Sequence, residues 1–427
     1  MFEVREKPRR VERALLVSVV WRKEDEAQAE SLLTELSELT ENLNIEVVGS
    51  MVVRARKKYP KYLLGKGKLE EVVALANAGN CDVIIFDNEL SPGQQRNWEE
   101  TSKVLVIDRH EVIIDVFAER AQTREAVLQV ELARMEYSLP RLRRAWTHLG
   151  RQRGGGVTQR GEGEAQIELD QRMLRDKIAA TKRELKEVVR QRTVSRKRRR
   201  RLPVPTASIV GYTNAGKSTL LNKLTGAKLY AADKLFATLD PTSRKVELPS
   251  GRNLVLTDTV GFVRNLPHRL VDAFKATLEE ALVADFLVHV VDLSSGELAE
   301  QMETTLAVLK DLGASEKKII TVFNKMDLLE NEWEQQNARF QDSEGIFLSA
   351  STGFGLKDLI EAFEQLLDEG CLEREYLVPH DRYDLVARLR REGCVRKEEP
   401  TEEGTVLVAN PVGSSVAVME PYFVKNL

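Results

Sequence analysis

Ala207-Ser208-Ile209-Val210-Gly211-Tyr212-Thr213-Asn214-Ala215-Gly216-Lys217-Ser218-Thr219-Leu220-Leu221 decides how this chain is read. The first four residues predict a short buried strand, and Thr219 to Leu224 has the pattern of a helix. Between them, Gly211 to Ser218 fits G-x-x-x-x-G-K-[ST] in full. Strand, loop and helix in that order are the setting in which this motif means a phosphate-binding loop. The glycines let backbone N–H groups face a β-phosphate without Cβ obstruction. Lys217 would neutralise the β- and γ-phosphates, and Ser218 would bind Mg²⁺ through its hydroxyl.

Working downstream, Asp258-Thr259-Val260-Gly261 follows the hydrophobic run Leu254 to Thr257. Asn324-Lys325-Met326-Asp327 follows Lys318 to Phe323, and Ser349-Ala350-Ser351 follows Ile346 to Leu348. Upstream of these lies Phe236-Ala237-Thr238-Leu239-Asp240-Pro241-Thr242. This set, in this order, resembles the GTPases of the Ras and translation-factor class. The resemblance implies that Asp327 accepts both hydrogens from guanine N1 and N2. Adenine presents neither, so the carboxylate selects guanine. It further implies that Asn324 ties its loop to the phosphate loop, that the Lys325 stem packs on the base, and that the Ala350 N–H donates to guanine O6. Asp258 would hold a Mg²⁺-bound water and the Gly261 N–H would contact the γ-phosphate. Thr238 is the expected switch threonine on Mg²⁺, with Thr242 as the alternative. Lys217, Thr238 and Gly261 are the expected catalytic groups.

One position departs from the Ras pattern, where a Gln follows D-x-x-G and orients the attacking water. Here it is Phe262, which has no hydrogen-bonding group. Slow intrinsic hydrolysis is expected, with the water positioned by another residue, an ion or a partner. Asn214 holds the position that binds K⁺ in some GTPases of this kind, against the plainer reading of loop hydrogen bonding.

Upstream of the phosphate loop the chain changes character. Ala14–Trp21, Ile45–Val53, Asp82–Phe86 and Lys103–Ile107 read as strands, with helical patterns at Glu26–Leu43, Lys68–Ala78 and Gly93–Thr101 between them. That order predicts a small parallel sheet covered by helices. Gly65-Lys66-Gly67 lacks the third glycine of a dinucleotide site and reads as a helix start. From Val112 the period changes. Leu128, Leu132, Met135 and Leu139 form one 3.5-type seam, interrupted at Pro140, and Ile167, Leu174, Ile178, Leu185 and Val189 form another. Two helices joined by a loop predict an antiparallel hairpin.

The loop itself, Arg151 to Glu164, holds five glycines and three arginines. A solvated linker explains the glycines but not arginines and an aromatic at the same tip. Arg141, Arg143, Arg144, Arg151, Arg153 and Arg160 can pair with phosphates, Trp146 and His148 can stack on bases, and Gly154, Gly155 and Gly156 let backbone approach closely. These are the expected RNA contacts. Six cations, Arg196 to Arg201, follow before the boundary prolines Pro203 and Pro205.

Charge sharpens this division. The 427-residue chain has a net charge of −3, which taken whole argues against nucleic acid. Residues 141–201, however, carry 20 Lys and Arg against 7 Asp and Glu, a balance of +13 that leaves −16 for the rest. Such asymmetry points to an anionic partner. Three widely spaced cysteines, Cys81, Cys371 and Cys394, suggest neither a disulfide framework nor a zinc site. The charged start MFEVREKPRR lacks a signal-peptide core, and the longest apolar run, Ala14–Trp21, is far shorter than the ~20 residues that span a bilayer. A cytoplasmic protein without membrane insertion is expected.

The order of parts resembles the HflX family of ribosome-associated GTPases. The specific signals are Leu139-Pro140-Arg141-Leu142, Trp146 to Leu149, the Gly154–Glu164 loop, and the GTPase motifs with Phe236–Thr242 and Phe262. The resemblance implies an α/β multidomain chain: a parallel-sheet N-terminal domain (1–111), a basic helical hairpin with a glycine-rich loop (112–201), a P-loop GTPase domain (202–370) and a small α+β C-terminal domain (371–427). In that last domain, Glu375–Val378, Thr405–Ala409 and Ser415–Met419 read as strands and Asp381–Glu392 as a helix. The resemblance also implies GTP and Mg²⁺ as ligands and the large ribosomal subunit with its rRNA as partner. It implies ribosome-stimulated hydrolysis and GTP-dependent splitting of stalled or idle ribosomes, notably under heat stress, by a monomer. A switch gating a protein partner, such as a membrane protease complex, is the alternative. The resemblance also attributes an ATP-dependent activity to the N-terminal region, for which no second phosphate-loop motif is present. ATP-driven RNA remodelling, a third reading, needs adenine binding, which Asp327 does not support.

Overall fold

The computed structural model describes residues 11–145, 158–199, 204–226, 235–236, 238–265, 281–329, 345–369, 374–391, 393–409, 411 and 414–426. The chain forms two compact units. The first comprises Met1–Glu187 with the short segments Lys234–Phe236 and Arg264–Phe274, and the second comprises the remainder.

In the first unit, strands β1 (Arg13–Val20), β2 (Glu46–Arg54), β3 (Val83–Phe86) and β4 (Leu105–Asp108) form an all-parallel sheet in the order β2-β1-β3-β4. Helices α1 (Glu26–Asn42), α2 (Lys66–Ala78), α3 (Pro92–Ser102) and α4 (Arg109–Arg120) lie between or after the strands. Strand β1 is nearly all buried and β3 wholly so, the continuous apolar run of a sheet covered on both faces. The start of α3 follows from Ser91-Pro92: Ser91 accepts from the Gln94 N–H and the Gln94 side chain accepts from the Ser91 N–H, a capping box with proline in the first turn. Asp108 caps α4 by accepting from the Glu111 N–H at 3.2 Å. Trp98 is fully buried against Phe86, with ring centroids 4.9 Å apart, and donates its indole N–H to Tyr62 O at 3.1 Å.

A group of charges is buried in this unit. Arg109 pairs with Glu35 and, at 2.9 Å, with Asp87. The second Glu35 oxygen takes Arg264 at 3.3 Å, and Arg264 also donates to Ser31 Oγ at 2.7 Å. All four ionic side chains are less than a tenth exposed. In the same unit Phe236 packs edge-on against Phe117, centroids 4.5 Å apart, and Leu235 O accepts from the Asn42 amide.

Two further helices are α5 (Arg124–Ala145), which runs through Pro140, and α6 (Thr158–Arg199), about 63 Å long at 1.5 Å per residue. Leu128, Leu132 and Met135 of α5 are buried. On α6 the less exposed stripe is Gln171, Leu174, Ile178, Thr181 and Leu185, spaced 3, 4, 3 and 4, while Met173 is exposed. Arg124 pairs with Glu184 at 2.5 Å and Glu136 with Lys182 at 2.6 Å. Positions twelve apart on α5 thus reach positions two apart on α6.

The second unit holds β5 (Thr206–Gly211), α7 (Lys217–Thr225), β6 (Thr242–Glu247), β7 (Asn253–Asp258), β8 (Phe286–Asp292), α8 (Leu298–Asp311), β9 (Lys318–Asn324), β10 (Ile346–Phe347) and α9 (Leu356–Glu369). The sheet order is β10-β9-β8-β5-β7-β6, parallel except for the antiparallel edge strand β6. Its core packs Ile209, Leu220, Leu256, Val288, Leu359 and Phe363.

A four-stranded antiparallel sheet, β12-β13-β11-β14, ends the chain: β11 (Arg374–Val378), β12 (Val395–Thr401), β13 (Gly404–Ala409) and β14 (Phe423–Asn426). Helix α10 (Tyr383–Arg391) packs Leu385, Val386 and Leu389 into its core. The segment expected as a strand at Ser415–Met419 is instead helix α11 (Ser414–Met419). Ser415 and Met419, four apart and one helical turn from each other, are the buried positions described on it. Asp368 of α9 joins this sheet to the larger one, pairing with Arg252 at 2.8 Å and with Arg396 of β12. Among the described residues no helix is long and apolar enough to cross a membrane, and the buried Cys81 and Cys394 form no disulfide there.

Candidate functional site

Strand β5 delivers its backbone to the loop 211–216, and α7 carries it away with Lys217 in the first turn. Gly216 has φ +93°, and a Cβ there would lie 2.2 Å from the Asn324 amide nitrogen, so only glycine fits. Lys217 is buried, and its ammonium donates to Gly211 O at 3.1 Å and Tyr212 O at 2.6 Å. Burial lowers its pKa to about 8, and nearby Asp258 opposes the shift. Behind the loop, burial and the Lys217 charge hold the pKa of His289 down at about 4, leaving its imidazole neutral.

Three residues singled out for the metal come together. Ser218 Oγ lies 2.6 Å from Asp258 Oδ2 and 2.7 Å from Thr238 Oγ1. Thr242 begins β6 and hydrogen-bonds Asp240 O instead. Asp258 is 1% exposed, burial raises its pKa against the pull of Lys217, and its Oδ1 has no hydrogen-bond partner among the described residues. Two hydroxyls and a buried carboxylate with a free oxygen are hard oxygen donors, the set that suits Mg²⁺.

The D-x-x-G segment is joined to the phosphate loop. Thr259 Oγ1 donates to Ile209 O at 2.7 Å, the Phe262 N–H donates to Gly211 O at 3.1 Å, and the Thr213 N–H donates to Phe262 O at 2.8 Å. The Phe262 side chain is 1% exposed. Gly261 is held so close that a Cβ would meet Thr213 Cα at 2.7 Å and Lys217 Nζ at 3.0 Å.

At the other end, Asn324 closes β9. Its amide donates to Ala215 O at 2.8 Å and its carbonyl accepts from the Ala350 N–H at 2.9 Å. That N–H, assigned above to guanine O6, is engaged by Asn324 here. Lys325 takes φ +67° and pairs with Asp292 at 2.7 Å. Asp292 was not legible as a site residue; its only signal is its place at the end of β8. Ser349 and Ser351 hydrogen-bond the Asp327 carboxylate and keep its pKa below the usual value. Asp327 therefore stays ionised.

Other expected residues fall elsewhere. Phe236 turns its ring onto Phe117 in the first unit. Arg141, expected on RNA, is held inward. It donates to Gln95, Leu90 O, Tyr137 O and the buried Asp108, and its guanidinium stacks 3.4 Å from the Tyr137 ring centroid. Its charge balances Asp108 and is not presented to a ligand. Trp146, His148, Arg151, Arg153, Gly154, Gly155, Gly156 and Ala237 lie outside the described residues, as do the side chains of Arg143, Arg144 and Arg160.

Family models match much of the chain. Residues 206–325 match the family model of the 50S ribosome-binding GTPases. Residues 30–118 match that of the GTP-binding GTPase N-terminal region, and residues 120–199 that of the middle region. The chain is 51% identical to GTPase HflX of Akkermansia muciniphila over 96% of both chains. It is 44% identical to GTPase HflX of Caldanaerobacter subterraneus subsp. tengcongensis, covering 92% of this chain and 89% of that one. It is 40% identical to GTPase HflX of Escherichia coli over 92% of both.

Proposed function

The chain belongs to the HflX family of GTPases, and from that premise we propose that it binds the large ribosomal subunit and, in its GTP state, splits stalled or idle ribosomes, notably under heat stress. What carries this reading is a GTPase match to 50S ribosome-binding proteins beside a segment with a balance of +13. An RNA backbone attracts such a segment through counterion release, despite the acidic remainder of the chain. The proposed RNA contacts are Arg143, Arg144, Trp146, His148, Arg151, Arg153, Gly154–Gly156 and Arg160. Arg141, committed to Asp108, is withdrawn from that set. The protein would act as a cytoplasmic monomer.

Within the nucleotide site, Asp327 selects guanine, the loop 211–216 cradles the phosphates and Lys217 balances their charge. Mg²⁺ held by Ser218, Thr238 and, through water, Asp258 would supply charge neutralisation at the β- and γ-phosphates. Thr238 and Gly261 report the γ-phosphate because each reaches the site from a loop that GTP orders and hydrolysis releases. With Phe262 where a water-orienting side chain would stand, hydrolysis is slow until the ribosome stimulates it. Asn214 is the proposed contact for K⁺.

The test is gradient sedimentation with isolated large subunits. A non-hydrolysable GTP analogue should increase cosedimentation over GDP, and equal cosedimentation sinks the ribosome reading. Ribonuclease treatment of a lysate separates the alternative: complexes that survive RNA digestion unchanged would favour a protein-gating switch.

A further inference from the structure

Thr213 carries a hydroxyl with no role so far. The residue is 5% exposed, and its Oγ1 is buried with no hydrogen-bond partner among the described residues. A buried hydroxyl left unpaired costs about 1–3 kcal/mol, so a chain that keeps one in a ligand site gains if the ligand completes it.

The surroundings say which part of the ligand that is. The Gly261 backbone packs on Thr213, and a Cβ there would lie 2.7 Å from both Thr213 Cα and Cγ2 and 3.0 Å from Lys217 Nζ. Thr213 therefore stands where the γ-phosphate sensor and the phosphate-loop lysine converge. Phe262 cannot serve this corner. Its ring has no polar atom, its side chain is 1% exposed, and its backbone N–H and carbonyl are engaged by Gly211 and Thr213. The methyl against Gly261 and the branched Cβ restrict χ1, which orders the hydroxyl before any ligand arrives.

We propose that the Thr213 hydroxyl is a catalytic group of GTP hydrolysis, donating a hydrogen bond to a γ-phosphoryl oxygen and holding that group for in-line attack. This rests on the GTP reading of the site. In the step itself, the water oxygen forms a bond to the γ-phosphorus, and the bond from that phosphorus to the bridging oxygen breaks. Its electron pair leaves with GDP, and the water's protons pass to the phosphate and solvent. Thr213 keeps its own proton and supplies a fixed dipole, the kind of preorganised donor that accelerates phosphoryl transfer.

The test is single-turnover GTP hydrolysis by the full chain, with and without large ribosomal subunits, alongside GDP titration. Thr213→Val removes the hydroxyl and keeps the shape, whereas Thr213→Ser keeps the hydroxyl and removes the methyl. Thr213→Val should slow hydrolysis about tenfold or more, the equivalent of one lost hydrogen bond to a charged group. GDP, which has no γ-phosphate, should bind within about twofold of wild type, and Thr213→Ser should hydrolyse within about threefold. Hydrolysis by Thr213→Val at the wild-type rate overturns the assignment. So does Thr213→Ser falling as far as Thr213→Val, or GDP affinity falling in step with the rate. A wild-type chain that neither binds GDP nor hydrolyses GTP would instead overturn the reading of the site itself.

Discussion

Arg109 and Glu35, 74 positions apart in sequence, form a buried ion pair in the first unit, and the same carboxylate also takes Arg264. Removing one partner of such a group leaves the others charged in a poorly solvating interior. Arg109→Met should therefore destabilise the first unit by about 3–5 kcal/mol, through the exposed debt of Glu35 and Asp87. Urea unfolding followed by tryptophan fluorescence checks it, because Trp98 lies in the core of the same unit. A loss under about 1 kcal/mol would mean the carboxylates find other partners.

Glu111 predicts a pH dependence of the same unit. Burial, with Asp108 and Asp115 adding repulsion, raises its pKa to about 7. Unfolded, a glutamate titrates near 4.3. The folded state thus binds the proton more tightly, so this contribution to stability is full below the unfolded value and is lost as pH rises towards 7. Thermal melts should show the first unit weakening between about pH 4.5 and 7, and Glu111→Gln should flatten that part of the profile.

Gly261→Ala tests the seam between the D-x-x-G segment and the phosphate loop. The new methyl would overlap the Thr213 backbone at 2.7 Å, a contact no rotamer can relieve. GTP hydrolysis should fall by about tenfold or more while GDP affinity changes by only a few-fold. Phosphate release and GDP titration measure the two, and wild-type hydrolysis would show that the segment has moved away in the working state.

Arg141 and the glycine-rich loop should separate cleanly. Arg141→Ala removes bonds to Asp108, Gln95 and Leu90 O, and should lower the melting temperature. Arg151→Ala with Arg153→Ala should leave melting unchanged and weaken cosedimentation with large subunits, with a shallower salt dependence. If Arg141→Ala leaves melting unchanged and weakens only cosedimentation, Arg141 belongs with the RNA contacts after all.

The phosphate loop was legible because one contiguous motif specifies strand, turn and helix, and because Lys217 and Ser218 are adjacent to the turn that aims them. The parallel sheet of the first unit was legible for a similar reason: Val83–Phe86 is apolar throughout and Ala14–Val20 is apolar except for Ser18. The direction of a cation was not. Arg141 sits in a basic run, and although Tyr137 lies one turn before it on the same helix, only the fold brings Asp108 beneath it. Strand β12 escaped notice because Arg396, Lys397, Glu398 and Glu399 are polar and Pro400 follows, a composition suited to a sheet edge that shows no alternation. The Glu35–Arg109–Arg264 cluster joins three distant segments, and no local pattern announces it.

Asn324 has a consequence for anyone designing ligands to this protein. One side chain braces both the carbonyl of Ala215 in the loop 211–216 and the N–H of Ala350 after β10. A small molecule that occupies only the base end, and another that fills only the phosphate end, press on opposite ends of the same amide. Their separate affinities should not simply multiply when the two are linked, and a fragment campaign that scored each half alone would misjudge the joined compound.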